Sequence, residues 1–152
     1  MDPAAAIDAW FASQPQLDCE RMGDNAWLTV LSGERKRGIP VYLELGGHTL
    51  VIESFFMTAP DERQDEVFAY LLGRNLRTYT LRFAVYDSGD IMLVGVLPRH
   101  AVTTEEIDRT MGQLLSVADD TYWPTIRLGF TEYIEREQAW REKVGLGRNP
   151  IT

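Results

Sequence analysis

A chain of 152 residues fits a single domain. Hydrophobic residues make up 45% and charged residues 25%, an ordinary globular balance that excludes a disordered, collagen-like or disulfide-scaffolded chain. The net charge of −8 opposes a phosphate backbone, so nucleic acid is not an expected partner.

Asp2-Pro3 reads as a helix start, with Asp as the cap and Pro in the first turn. Ile7, Trp10 and Phe11 then share one helical face, and Pro15 ends the segment. Gln16 to Asp24 is polar and reads as a connection. Ala26 to Leu31 reads as a strand, and Ser32 to Gly38 as a turn carrying the dense basic run Arg35-Lys36-Arg37. Pro40 to Leu45 alternates, Gly46-Gly47 marks a hairpin, and Thr49 to Met57 forms the third strand. Leu50, Ile52 and Phe56 fall on one face of it, and Val51, Glu53, Phe55 and Met57 on the other.

Thr58 to Glu62 reads as a second helix start, and Val67, Tyr70 and Leu71 carry the helical period toward Gly73 and Asn75. Thr80 to Tyr86 alternates with Leu81, Phe83 and Val85 inward, Asp87 to Asp90 turns, and Ile91 to Leu97 is the fifth strand. Thr103 and Glu106 have capping-box spacing. Ile107, Met111, Leu114, Leu115 and Ala118 follow on one helical face. Pro124 predicts a kink or break near Asp120 to Trp123, after which Ile126, Phe130, Tyr133 and Ile134 resume the period. We expect one domain over 1–144, its last helix extending past Pro124, and a frayed tail over 145–152. The fold expected is α+β, a five-stranded antiparallel sheet with helices on one face, in the order α-β-β-β-α-β-β-α.

The stretch from Leu72 to Pro124 carries Asn75, Arg82-Phe83, the turn Asp87-Ser88-Gly89-Asp90-Ile91, and Leu97-Pro98. It continues with Thr104-Glu105-Glu106, Leu114-Leu115, Ala118-Asp119, and Tyr122 to Pro124. With the element order, this resembles the YbjN-like family, which shares its fold with type III secretion chaperones, over roughly residues 25–126. The resemblance implies no catalytic residues. It implies a small acidic bacterial dimer that binds other proteins, in a chaperone-like or regulatory role.

The residues themselves supply no catalytic set. Ser32 and Ser54 lack a nucleophile elbow, and Cys19 sits between Asp18 and Glu20, whose charges oppose a thiolate. The single cysteine cannot form an internal disulfide, and His48 and His100 stand outside any ligand-spaced motif, so neither metal nor cofactor is expected. Asp87 and Asp90 read as turn formers. The start MDPAAAIDAW lacks a basic n-region, and no apolar run is long enough to cross a bilayer, so a cytoplasmic protein is expected.

The second sheet face is the informative feature. It is assigned Trp27, Tyr42, Phe55, Met57, Met92, Val94 and Val96, where an exposed face should alternate to polar residues. Either the helix after Pro124 folds back over it through Phe130 and Tyr133, or the face is an interface. Trp140, among mixed charges on the last helix, is a candidate docking knob. The expected function is non-catalytic protein binding, with a client or regulatory protein and a homodimer as partners. Trp27, Tyr42, Phe55, Met92, Val94 and Trp140 are the candidate residues. The alternative is a ligand-binding or enzymatic domain, its pocket between the last helix and the sheet where Tyr122, Trp123 and Arg82 converge.

Overall fold

The computed structural model describes residues 1–147. The chain runs α1 (Pro3–Ala12), β1 (Glu20–Arg21), β2 (Ala26–Leu31), β3 (Ile39–Leu45) and β4 (Thr49–Met57). It continues through α2 (Gln64–Arg74), a 3-10 turn (Asn75–Arg77), β5 (Leu81–Val85), β6 (Ile91–Pro98), α3 (Thr104–Gly129) and α4 (Thr131–Lys143). The six strands form one antiparallel sheet in the order β1-β2-β3-β4-β6-β5. The sheet is thus six-stranded where five were expected. The extra strand is two exposed residues, too short to show alternation, paired with Trp27 and Leu28.

One face of the sheet carries the core. Trp27, Leu43, Ile52, Phe56, Leu81, Leu93 and Leu97 are buried there with Ile7, Trp10, Val67, Leu71, Ile107, Met111 and Leu114 from α1, α2 and α3. The expected meeting of Leu50, Ile52, Phe83 and Ile107 occurs. Two indole N–H groups fasten α1 in place: Trp10 donates to Asp108 on α3 at 3.0 Å, and Trp27 donates to Asp8 at 2.8 Å. Asp8 also pairs with Arg21 at 2.9 Å, so a single carboxylate ties α1 to β1 and β2. Asp2 caps α1 by accepting from the Ala5 N–H, and Thr103 caps α3 by accepting from the Glu106 N–H.

Several local expectations are corrected. Helix α2 starts at Gln64, because the Asp61 and Glu62 N–H groups donate instead to the Gly129 carbonyl at the end of α3. Arg63 turns the chain with φ 49°, and its guanidinium caps the Leu128 carbonyl. Pro124 does not break α3, which runs unbroken from Thr104 to Gly129. The carbonyl that loses its donor belongs to exposed Asp120, where water can serve it. The neighbouring hydroxyls of Thr121 and Thr125, both buried, donate to the carbonyls four residues back. The true break is at Phe130, whose φ of −139° leaves the helix and starts α4.

Val85, expected inward, is exposed at the end of β5. The following turn needs φ 89° at Gly89, and the Tyr86 N–H donates to the Asp90 carbonyl across it at 2.9 Å. Of the expected frayed tail, 148–152 lies outside the described residues. Residues 145–147 close α4, with Gly145 at φ 79° and the Leu146 N–H donating to the Arg141 carbonyl.

Candidate protein-binding face

The strand register lays the second face out in three rows. The central row crosses Leu28, Tyr42, Glu53, Val94 and Arg82. On one side lie Glu44, Val51 and Val96. On the other, Val30 pairs with Pro40, and Phe55, Met92 and Ala84 lie abreast. Val96 is 57% exposed, Val30 54% and Phe55 37%, while Tyr42, Met92 and Val94 are half-buried among their neighbours. A sheet face rarely presents so much apolar surface to water.

Few free charges remain on it. The Tyr86 hydroxyl donates to the Glu53 carboxylate, and burial together with that contact pushes the Tyr86 pKa up to about 12. The Arg82 guanidinium folds back onto the Thr78, Tyr79 and Leu81 carbonyls and the Thr78 hydroxyl. Among the described residues, Glu53 and Arg82 are therefore satisfied internally, which leaves Glu44 and, beside Leu28 on β1, the exposed Glu20.

The last helix does not cover this face. Phe130 packs onto the core, Tyr133 is exposed, and Ile134 is buried. The start of α4 is held by the 61–63 loop: Arg63 donates to the Thr131 hydroxyl, and Glu62 accepts from the Glu132 N–H.

Tyr42, Phe55, Met92 and Val94 lie on the face as expected. Trp27 does not: it is 0% exposed on the core side, in step with Thr29 and Leu31. Its assignment to the outer face is corrected by the period of two, since Thr29 and Leu31 are also buried while Leu28 and Val30 point outward. Met57 is corrected as well. A register shift between Phe55 and Met57 opposes it to Ile91 and turns it into the core. Leu28, Val30 and Pro40 complete the surface. Reading β2 outward from Leu28 would have found the first two. Trp140, 56% exposed, stands apart on α4 beside Tyr133, Arg136 and Glu137 along a shallow groove.

Tyr122, Trp123 and Arg82 do not converge, which corrects the expected ligand pocket. Arg82 is committed to the β5 end of the sheet. Tyr122 and Trp123 instead lie under the basic turn, with Lys36 Nζ 5.1 Å from the Tyr122 ring and the Arg35 guanidinium 5.7 Å from that of Trp123. That turn wraps Asp119, which accepts from the Arg35 N–H at 2.7 Å and the Lys36 N–H at 2.9 Å. Burial works to raise the Asp119 pKa, but the N–H groups of Lys36, Arg35 and Glu34 and the Arg35 charge outweigh it and hold the carboxyl below its ordinary value. The basic run thus anchors an acid of its own chain. Cys19 is exposed, and its thiol pKa is raised by partial burial and the charge of Asp8 against the opposing pull of Arg21.

The family profile YbjN, described as a putative bacterial sensory transduction regulator, matches residues 3–123. The chain belongs to the YbjN family. Among curated relatives, an uncharacterized protein of Mycobacterium tuberculosis is 40% identical over 116 residues, 76% of this chain and 63% of that protein. One of Mycobacterium leprae is 35% identical over 121 residues, 80% of this chain and 66% of that protein. The chain therefore spans less than two thirds of the length of these relatives. Three solved structures share the YbjN-family fold seen here. A chain of the HopA1-SchA chaperone-effector complex matches with TM-score 0.58 and 14% identity, covering 75% of this chain and 88% of that one. A chain of the ExoU-SpcU complex from the type III secretion system of Pseudomonas aeruginosa gives 0.57 and 17%, covering 78% and 96%. A chain of the ExsC-ExsE complex gives 0.55 and 17%, covering 80% and 95%. The family match ends inside α3, so α4 and its Trp140 lie outside it. Among the described residues, no helix is long and apolar enough to cross a membrane.

Proposed function

We propose that this YbjN-family chain is a non-catalytic protein-binding domain, chaperone-like or regulatory, working in the cytoplasm through the outer face of its sheet. The observation that carries the reading is the open face itself. Val30, Phe55 and Val96 are exposed beside half-buried Tyr42, Met92 and Val94, with no helix laid over them among the described residues. The occupant is an apolar surface of another protein, either a client or a second copy in a homodimer. Tyr and Met suit such surfaces because they bury large areas while adapting in shape. The fold likeness to a chain of a complex described as chaperone-effector supports the same reading. The unit that binds is the single domain over 1–144, with Trp140 a secondary contact.

The test is solution mass by light scattering over a dilution series, joined to capture of partners from lysate. Val94→Asp and Val96→Asp place charge on the face without touching the core. A dimer that these variants dissociate, or a partner that they release, supports the reading. Unchanged mass and unchanged partners in both variants overturn it.

A further inference from the structure

We propose that Asn75 and Gln113 lock the β5 edge of the sheet against pairing with the β5 strand of a second copy of this chain. Strand β5 ends the sheet, with only β6 beside it. The outward backbone groups of such an edge are a template for another strand. At Leu81 and Phe83 they are taken, the Leu81 carbonyl by the Arg82 guanidinium at 2.8 Å. The Asn75 side chain behaves as a piece of strand: its Oδ1 accepts from the Phe83 N–H at 2.7 Å, and its Nδ2 donates to the Phe83 carbonyl at 3.2 Å. Gln113 reaches down from α3, and its Oε1 accepts from the Thr80 N–H at 3.1 Å and the Leu81 N–H at 3.4 Å. The bonds to Phe83 show which way its backbone points. It faces away from β6, opposite Leu93, so these are edge groups and not ladder groups.

The surface around this edge explains the need for a lock. Leu72, Leu76, Tyr79 and Val85 are all exposed, and an apolar groove lined by Phe68, Leu71, Leu72, Phe83 and Val85 runs beside the strand. An open edge flanked by apolar side chains invites its own twofold copy, because an antiparallel pairing of β5 with β5 is self-complementary. The lock uses the first residue of the 3-10 turn after α2 and a mid-helix residue of α3. It holds only while both helices sit on the sheet. The inference is independent of the outer face, since the edge and the face present different atoms.

The experiment is residue-resolved amide exchange with light scattering on the whole chain and on Asn75→Ala, Gln113→Ala and the double variant. In the wild type, the Phe83 and Leu81 amides should exchange slowly although they face the edge. Asn75→Ala should speed Phe83 by about tenfold, the factor of one lost hydrogen bond, and leave Leu81 in place; Gln113→Ala should do the reverse. The double variant should gain mass with concentration beyond the wild type, and Phe83 protection should return in the associated form. Asn75→Asp keeps the acceptor for the Phe83 N–H and should preserve its protection. Fast exchange at Phe83 and Leu81 in the wild type overturns the proposal. So does a folded double variant whose edge amides are open but whose mass matches the wild type at every concentration. If the double variant does not fold, the exchange pattern of the single variants decides. An association shared by wild type and variant belongs to the outer face.

Discussion

Replacing Asp119 with asparagine separates the anchoring of the 33–37 turn from the rest of the fold. The carboxylate accepts two backbone N–H groups at 2.7 and 2.9 Å and lies 3.9 Å from the Arg35 guanidinium. Hydrogen bonds to a charged group contribute about 1.5–3 kcal/mol each. Both N–H groups share Oδ1, so asparagine keeps their acceptor but loses the charge and turns an N–H₂ toward the Arg35 guanidinium. The net loss should be about 1–2 kcal/mol, read as a fall in Tm of about 2–8 °C for a chain of this size. The pH dependence gives a second readout. The folded carboxyl titrates below its unfolded value, so its stabilisation is complete above about pH 4 and disappears as pH falls through the folded value. Urea unfolding of wild type and variant should therefore differ by a constant amount at neutral pH and converge in acid. Gly33 sharpens the picture, because a Cβ there would come within 2.5 Å of Asp119 Oδ1 and of the Lys36 carbonyl. A difference that stays constant down to pH 3, well below the ordinary carboxylate range, or an Asp119 that titrates at or above that range by NMR, would refute the reasoning.

Three further outcomes follow from the packing. Trp27→Ala empties a fully buried indole site and frees Asp8 from its donor, so it should cost about 3–5 kcal/mol in chemical denaturation; a loss below about 1 kcal/mol would return Trp27 to the surface. Glu53→Gln removes the charge facing the Tyr86 hydroxyl, so the Tyr86 pKa should fall from about 12 toward 10 in an ultraviolet titration; an unmoved midpoint would break the pairing. Pro124→Ala restores an N–H inside α3 at the expense of a stiffer unfolded chain, and should stabilise by about 1–2 kcal/mol; a destabilised variant would mean that proline packing outweighs the helix bond.

The outer face was largely legible in the sequence because β3, β6 and β4 as far as Phe56 keep strict alternation, which put Tyr42, Phe55, Met92 and Val94 on one side. Trp27 misled because β2 starts with two adjacent buried residues, Ala26 and Trp27, and an aromatic at a strand start carries no direction by itself. Met57 misled because one extra residue in a strand reverses every side chain beyond it, and nothing in Phe55-Phe56-Met57 marks the shift. The sixth strand was invisible because two residues have no period.

Local chemistry by itself determined the α+β class, the caps at Asp2 and Thr103, the hairpin turns and the apolar stripes of the helices, since each depends on neighbours within a few residues. It also carried the family resemblance, through turns, strand ends and caps that the fold repeats. Long-range contacts decided the rest. Pro124 stays inside a helix, and the carbonyl it orphans belongs to the exposed Asp120. The second helix starts late because Gly129 claims the N–H groups of Asp61 and Glu62. The basic turn is anchored because Asp119, 83 residues from Lys36, accepts its backbone. The outer face stays open because α4 is fastened to the 61–63 loop, and that hydrogen bonding joins residues 68 and 70 positions apart. Sequence separation on that scale leaves no local pattern to read, and only the folded chain brings those groups together.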